Sequence, residues 1–310
     1  MKILVVGAGA VGGYFGAHLA RAGLNVDFLV RPARADSLRE RGLLIRDVDG
    51  NSHAVPVSAV TADQLRAGYD LVLVTVKSYG FDAALKDLTP AVGPRTVVLP
   101  FLNGMRHIDL LVDRFGAERV YGGVAMVMTR LSAEGEIVEV GKMGELIFGP
   151  VSENPTITLE DVRAALDTGT YQATAVTDIR QQLWNKWVFL ATLGACTCLM
   201  RAPIGRVNSA PGGQAFTSGM FEEAIAVATA SGFPPDQEAR ERADAIVATT
   251  TAATTTSMYW DLTHGNPVES EHIIGDLVAR GRELGVPTPL FSLAHTHLCV
   301  YEAGRVQAEE

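Results

Sequence analysis

Cysteine, lysine and long apolar runs are all scarce in this 310-residue chain. The three cysteines, Cys196, Cys198 and Cys299, make neither an even disulfide set nor a zinc-ligand spacing. Reduced thiols in a cytoplasmic protein are therefore expected. Basic residues number 26 against 35 acidic ones, a formal net charge of −9. That balance argues against a nucleic-acid binder, which needs a basic face, while leaving room for a local basic pocket around a small anion. The apolar, uncharged run Trp187–Met200 is shorter than the ~20 apolar residues of a spanning helix, so no membrane partner is expected. Met1–Ala20 has the lysine, apolar stretch and alanine-rich end of a secretory leader. Gly7, Gly9, Gly12 and Gly13 interrupt that stretch at a spacing with another meaning.

What is present is a globular composition, 47% hydrophobic and 20% charged, in a chain long enough for two domains. The first half alternates short apolar runs with helical patterns, the mark of βαβ units and a parallel sheet. Lys2–Val6, Asn25–Val30, Tyr69–Val76 and Thr96–Phe101 are predominantly apolar, as buried parallel strands are. Tyr121–Met128, Glu136–Val140 and Glu145–Phe148, separated by glycines, are expected as extra strands at the edge of that sheet. A helix is expected over Thr158–Leu166, with Thr158 and Asp161 as a capping box in which aspartate replaces glutamate.

From about Asp178 the periods become helical, roughly over 178–200, 212–231, 235–258, 266–285 and 289–303. The fold class is thus a Rossmann-type α/β dinucleotide-binding domain, residues 1–177, followed by an all-α domain, residues 178–310. Such a helical domain can dimerise, and a homodimer is compatible with the sequence.

Gly7-Ala8-Gly9-Ala10-Val11-Gly12 follows the first strand and opens a helical pattern. In a dinucleotide site the first glycine allows a tight turn and the second lets the backbone approach a pyrophosphate. The third lets helix and strand pack closely, and the helix N-terminus offers free N–H groups to phosphate. NAD binders place an acid at the end of the second strand to bond the ribose. Here the chain reads Phe28-Leu29-Val30-Arg31, with Arg34 close behind and Asp27 too early in the strand. A guanidinium there pairs with a 2′-phosphate, so the cofactor expected is NADP(H).

The glycine segment, Val76-Lys77-Ser78-Tyr79, Leu102-Asn103-Gly104, Trp184-Asn185-Lys186-Trp187 and Ser257-Met258 followed by Glu269 together resemble the ketopantoate (2-dehydropantoate) reductase family over essentially the whole chain. The resemblance implies hydride delivery from NADPH to the C2 carbonyl of a small 2-oxo acid, ketopantoate first, in pantothenate biosynthesis. It implies that Lys186 is the proton donor and Glu269 the carboxylate that holds substrate or lysine in place. Lys77 and Asn103 would lie near cofactor and substrate, and Ser257 would contact substrate. The residues support parts of this independently. Lys186 is one of only five lysines and shares a helix face with Leu183, Leu190 and Leu193. An ammonium on an apolar stripe loses proton affinity, which suits an acid working near neutral pH. Lys77 and Asn103 follow two parallel strands, at the sheet edge where open α/β folds bind ligands.

One departure concerns substrate. The family commonly has asparagines one and two turns after the lysine, where this chain has Leu190 and Gly194. That change leaves open a reductase of a different 2-oxo acid. A β-hydroxyacid or 6-phosphogluconate type dehydrogenase and a non-catalytic NADP(H) sensor are the other readings. His264, His272, His295 and His297 are scattered, and the last pair is spaced i, i+2, which does not share a helix face; no metal site is assigned.

Overall fold

A computed structural model describes residues 1–309. The chain divides into two compact units, one of Met1–Leu102 with His107–Ile179, the other of Asn103–Arg106 with the chain from Arg180 onward.

In the first unit the strands are β1 (Lys2–Val6), β2 (Asn25–Leu29), β3 (Leu43–Arg46), β4 (Ser52–Val55), β5 (Ser58–Val60), β6 (Leu71–Val74), β7 (Val97–Pro100), β8 (Tyr121–Leu131), β9 (Ile137–Pro150) and β10 (Gln172–Ala175). A parallel sheet runs β5-β2-β1-β6-β7. Its apolar runs split by the two-residue period of a strand. Ile3, Val5, Leu71, Leu73, Val97 and Leu99 enter one core, while Leu4, Val6, Val72, Val74 and Val98 enter the other. Both faces are covered, which is why β1, β6 and β7 are so largely apolar. The order reverses between β1 and β6, and an open α/β sheet binds ligands beyond the carboxyl ends of its strands at such a reversal.

The later strands are not an extension of that edge. They form a second five-stranded sheet, β10-β9-β3-β4, with β8 antiparallel to β9. The expected segments Glu136–Val140, from its second residue on, and Glu145–Phe148 are parts of the single strand β9, which continues through Gly141 and Gly144. Those glycines serve close approach rather than turning. A Cβ at Gly141 would stand 2.6 Å from Met128 Sδ, and one at Gly144 would stand 2.3 Å from the Tyr14 hydroxyl oxygen. The helix Leu159–Leu166 is capped by Thr158, whose hydroxyl accepts from the Asp161 amide at 3.2 Å and donates to the Asp161 carboxylate at 2.6 Å.

The second unit is helical: Ile179–Met200, Ile204–Asn208, Gly213–Ala230, Gln237–Val247, Ser257–Thr263, Asp276–Glu283 and Pro289–Glu309, with one π-helical turn at Glu271–Gly275. The helix expected over 235–258 stops at Val247. The threonines that follow lose rotamer freedom in a helix, and the Asn208 side-chain amide donates to the carbonyls of Val247 (2.5 Å) and Thr249 (2.7 Å) where the helix ends. Ile179–Met200 is long and apolar enough to cross a membrane, but 67% of its most apolar window is buried inside the protein, as in a core helix.

Candidate functional site

The glycine loop is built by its neighbours. β1 ends at Val6, Gly7 turns at φ +101°, and Gly9 stands at the N-cap of the helix Ala10–Arg21 with no side-chain cap. Leaving the first amides of a helix uncapped by side chains keeps them available to an anion. Thr75, just past β6, sends its hydroxyl to the carbonyls of Val6 (2.9 Å) and Gly7 (3.0 Å), which holds the turn. Its proximity explains the third glycine, since a Cβ at Gly12 would stand 2.1 Å from Thr75 Oγ1 and 2.3 Å from the Gly7 carbonyl. Gly16 makes the same close approach to the Phe28 ring, 2.3 Å from a built Cβ.

Gly9 differs. Beyond its own chain neighbours, no heavy atom lies within 4 Å of a Cβ built there, and its φ of −84° suits any residue. Nothing in the protein requires this glycine. What its missing side chain leaves is open space over the loop, the place where a dinucleotide pyrophosphate would approach the backbone. Ala8, Ala10 and Val11 complete the loop, with Ala8 buried and the other two partly so.

The two arginines past β2 differ in role. Arg31 is exposed at the N-cap of Pro32–Arg41, with Pro32 in the first turn. Arg34 turns back to donate to the carbonyl of Gly135 at 2.9 Å and to that of Ala8 at 3.3 Å. Arg34 thus braces the glycine loop. Lys77 is exposed three residues beyond β6, at the N-cap of the turn Ser78–Gly80. Sequence reasoning passed over Thr75 altogether, although a hydroxyl in the apolar run Leu71–Val76 was the visible signal.

In the helical unit, Lys186 lies mid-way along Ile179–Met200, a helix pinned at three places. The Trp187 indole nitrogen donates to the Ile273 carbonyl at 2.9 Å, and the Trp184 ring stacks on Phe233 with centroids 5.9 Å apart. Asn185 donates to Asp236 at 2.6 Å and accepts from Gln181 at 2.9 Å. The Arg280 guanidinium sits 5.8 Å and 5.6 Å from the ring centroids of Trp184 and Trp187, a cation–π clamp with no sequence signature. Held this way, Lys186 is partly buried, and burial pulls its pKa from 10.5 down to about 8 against the opposing charge of Glu269. Glu269 itself is only 6% exposed.

Asn103 belongs to this helical unit, although it directly follows Leu102 in the chain. Its neighbour Gly104 turns at φ +88° and packs on the π-helical turn, where a Cβ would come 2.7 Å from the His272 carbonyl. Ser257 is exposed at the first position of its helix, after the cap Thr256. Beside it, Met258 Cε and Thr256 Oγ1 lie 2.8 Å and 3.7 Å from a Cβ built at Gly194. Lys186, Leu190 and Gly194 follow at helical spacing on one face. The structure therefore gathers Gly7–Gly12, Arg31 and Lys77 at the carboxyl ends of the parallel sheet, and Lys186, Glu269, Asn103 and Ser257 in the helical unit.

Residues 3–153 match the family model described as Ketopantoate reductase PanE/ApbA, and residues 178–302 match its C-terminal companion. The chain is 30% identical to the uncharacterized oxidoreductase YkpB of Bacillus subtilis, over 98% of this chain and 99% of that one. It is 28% identical to a 2-dehydropantoate 2-reductase of Mesorhizobium japonicum, over 93% and 94% of the two chains. The crystal structure of a PanE/ApbA family ketopantoate reductase from Ralstonia eutropha superposes with a TM-score of 0.87 at 29% identity, covering 98% of this chain and 99% of that one.

Proposed function

The chain belongs to the ketopantoate reductase family of oxidoreductases, and on that premise we propose that it catalyses NADPH-dependent reduction of a 2-oxo acid, ketopantoate first among candidates, with Lys186 as proton donor. The observation that carries this reading is the state of Lys186. A lysine drawn down to about 8 beside a buried carboxylate is still mostly charged at neutral pH yet gives up its proton readily.

A bound nicotinamide dinucleotide supplies the hydride. The chain's own groups do the rest. The open space at Gly9 and the amides at the start of Ala10–Arg21 receive the pyrophosphate. Exposed Arg31 meets the 2′-phosphate, and Arg34 keeps the loop beneath it in place. Lys77 and Asn103 position nicotinamide and substrate. The Lys186 ammonium bonds the substrate carbonyl oxygen, stabilises negative charge as it develops there, and then donates the proton. Glu269 keeps Lys186 protonated until that moment, and Ser257 supplies a hydroxyl to the substrate.

Leu190 and Gly194, on the Lys186 face, favour a second reading within the same chemistry: a 2-oxo acid less polar than ketopantoate. Two polar partners are missing there, each worth about 0.5–1.5 kcal/mol toward a hydroxylated acid. The deciding experiment follows NADPH absorbance with ketopantoate, with NADH and a panel of 2-oxo acids alongside. Fast turnover of ketopantoate with NADPH supports the first reading. Tight NADPH binding with turnover only of apolar 2-oxo acids supports the second, and turnover of none with either cofactor would overturn both.

A further inference from the structure

Away from the groups so far described, Glu271, His295 and Cys299 bring one oxygen, one nitrogen and one sulfur to within 4.8 Å of one another. His295 and Cys299 are spaced i, i+4 on the helix Pro289–Glu309 and so share a face, a spacing from which one helix can offer two ligands. Glu271 reaches them from the π-helical turn. This pairing escapes a sequence reading that tests histidine against histidine, because the partner of His295 is Cys299 and not His297.

The geometry distinguishes between two uses of such a trio. In a relay of nucleophile, base and orienting acid, the two partners of the histidine occupy opposite ring nitrogens. Here both address Nε2, with Glu271 Oε1 at 2.8 Å and Cys299 Sγ at 3.5 Å, and Sγ lies 3.4 Å from the same Oε1. The three atoms converge on a common point. Tetrahedral zinc, with bonds of about 2.3 Å to sulfur and about 2.0–2.2 Å to nitrogen and oxygen, separates sulfur from nitrogen or oxygen by about 3.6 Å and nitrogen from oxygen by about 3.4 Å. Both sulfur separations are already near those values, and only the nitrogen–oxygen pair must open, by about half an ångström.

Space and charge agree. A Cβ at Gly275 would come 2.8 Å from His295 Nε2 and 2.9 Å from Glu271 Oε2, so only glycine leaves this corner clear. Glu271 and Glu302 place negative charge beside the thiol. Glu271 is exposed while His295 and Cys299 are half-buried, which leaves the cluster open to a solvated ion.

We propose that Glu271, His295 and Cys299 form a three-ligand site for a borderline-soft divalent cation of the Zn2+ class, with water completing the tetrahedron. Thiolate, carboxylate and neutral imidazole suit that ion better than Mg2+ or Ca2+, which prefer oxygen alone. On binding, the Cys299 thiol proton leaves to solvent and the ligand charge balances the ion. The ion ties the π-helical turn to the C-terminal helix.

The test uses tag-free, chelator-treated full-length protein titrated with Co2+ and then Zn2+. One Co2+ per chain should give intense tetrahedral d–d bands and a near-ultraviolet sulfur-to-metal band, both erased by Zn2+. Cys299→Ser should remove the sulfur band. Glu271→Gln and His295→Ala should each weaken Zn2+ binding by roughly tenfold or more in competition with a chromophoric chelator. Gly275→Ala, which removes no ligand, should weaken it too, and added Zn2+ should raise the melting temperature of the parent protein alone. A sulfur band that survives in Cys299→Ser, or Zn2+ affinity unchanged across natively folded variants, would overturn the assignment.

Discussion

The charge of Glu269 opposes the loss of a proton from Lys186 that burial promotes. A group suspended between these two effects should be visible in activity, in stability and in the pH dependence of both.

Lys186→Ala is expected to lower kcat for reduction by about 10²–10⁴-fold, the usual contribution of a positioned acid. NADPH affinity, measured by fluorescence titration, should stay within a few-fold of the parent. Equal losses in both would argue that the lysine only supports the fold. In the parent, reduction should fall as pH rises through about 8, while the reverse oxidation, which needs the free amine, should rise over the same range.

The stability counterpart has a definite direction. Lys186 binds its proton more weakly in the folded chain (about 8) than in the unfolded one (10.5), so between those values the unfolded state holds more protons and stability rises with pH. Below pH 8 the buried ammonium costs folding on the order of 3 kcal/mol, from about 1.4 kcal/mol per pH unit. Lys186→Met should therefore melt higher than the parent at pH 7, with the gap closing as pH approaches 10.5. An inactive variant that is also the more stable one is the pattern of a residue kept for chemistry.

Gly9→Ala and Gly12→Ala should separate binding from folding. With no packing neighbour within 4 Å of its Cβ beyond the adjacent chain, Gly9→Ala should melt near the parent temperature yet bind dinucleotide at least about tenfold more weakly, a loss of about 1.4 kcal/mol. Gly12→Ala drives a methyl into Thr75 and the Gly7 carbonyl, an overpacking that should cost about 1–3 kcal/mol or more in chemical denaturation. A cofactor affinity untouched by Gly9→Ala would remove the pyrophosphate from this loop.

Arg31 and Arg34 should part in the same way. Arg31→Ala should weaken NADPH by about 1.5–3 kcal/mol, the value of hydrogen bonds to a charged group, and leave NADH nearly unchanged. Arg34→Ala, which releases the carbonyls of Ala8 and Gly135, should weaken both cofactors alike. Isothermal titration of both variants with both cofactors gives the ratio directly.

Leu190→Asn should raise kcat/KM for ketopantoate by about two- to tenfold, the worth of one restored hydrogen bond. It should lower kcat/KM for apolar 2-oxo acids. At Gly194 the corresponding change would meet the flexible end of Met258 first.

The sequence displayed four strands of the parallel sheet because they are largely apolar on both faces, while the short edge strand β5, which begins on exposed Ser58, went unread. It displayed the glycine loop because β1 and the helix after it flank a spacing with one mechanical meaning. Thr158 was legible as a cap for the same local reason. The second sheet was not. Ser52–Val55 exposes three of its four residues, and Gly141 and Gly144 interrupt β9 in a way indistinguishable from turns until Met128 and Tyr14 are seen against them. The Thr249–Thr256 segment read as helix because it lies between helical patterns, whereas β-branched crowding and the Asn208 amide at the carbonyls of Val247 and Thr249 end the helix before it. Of the groups around Lys186, the lysine and Glu269 were readable from motif and apolar face. Arg280 above the two tryptophans depends on contacts between helices far apart in the chain, which no spacing encodes.

Asn103–Arg106 is the one stretch of the helical unit that precedes residue 180, so the polypeptide passes from one unit to the other three times. No single scission can therefore excise either half intact. A fragment beginning at residue 180 would lack the Gly104 turn against His272, and one ending at residue 179 would carry that turn without His272. Transplanting the helical half onto another nucleotide-binding half would mean grafting two segments and not one, so swaps between relatives should succeed only when the Asn-Gly turn travels with the helices.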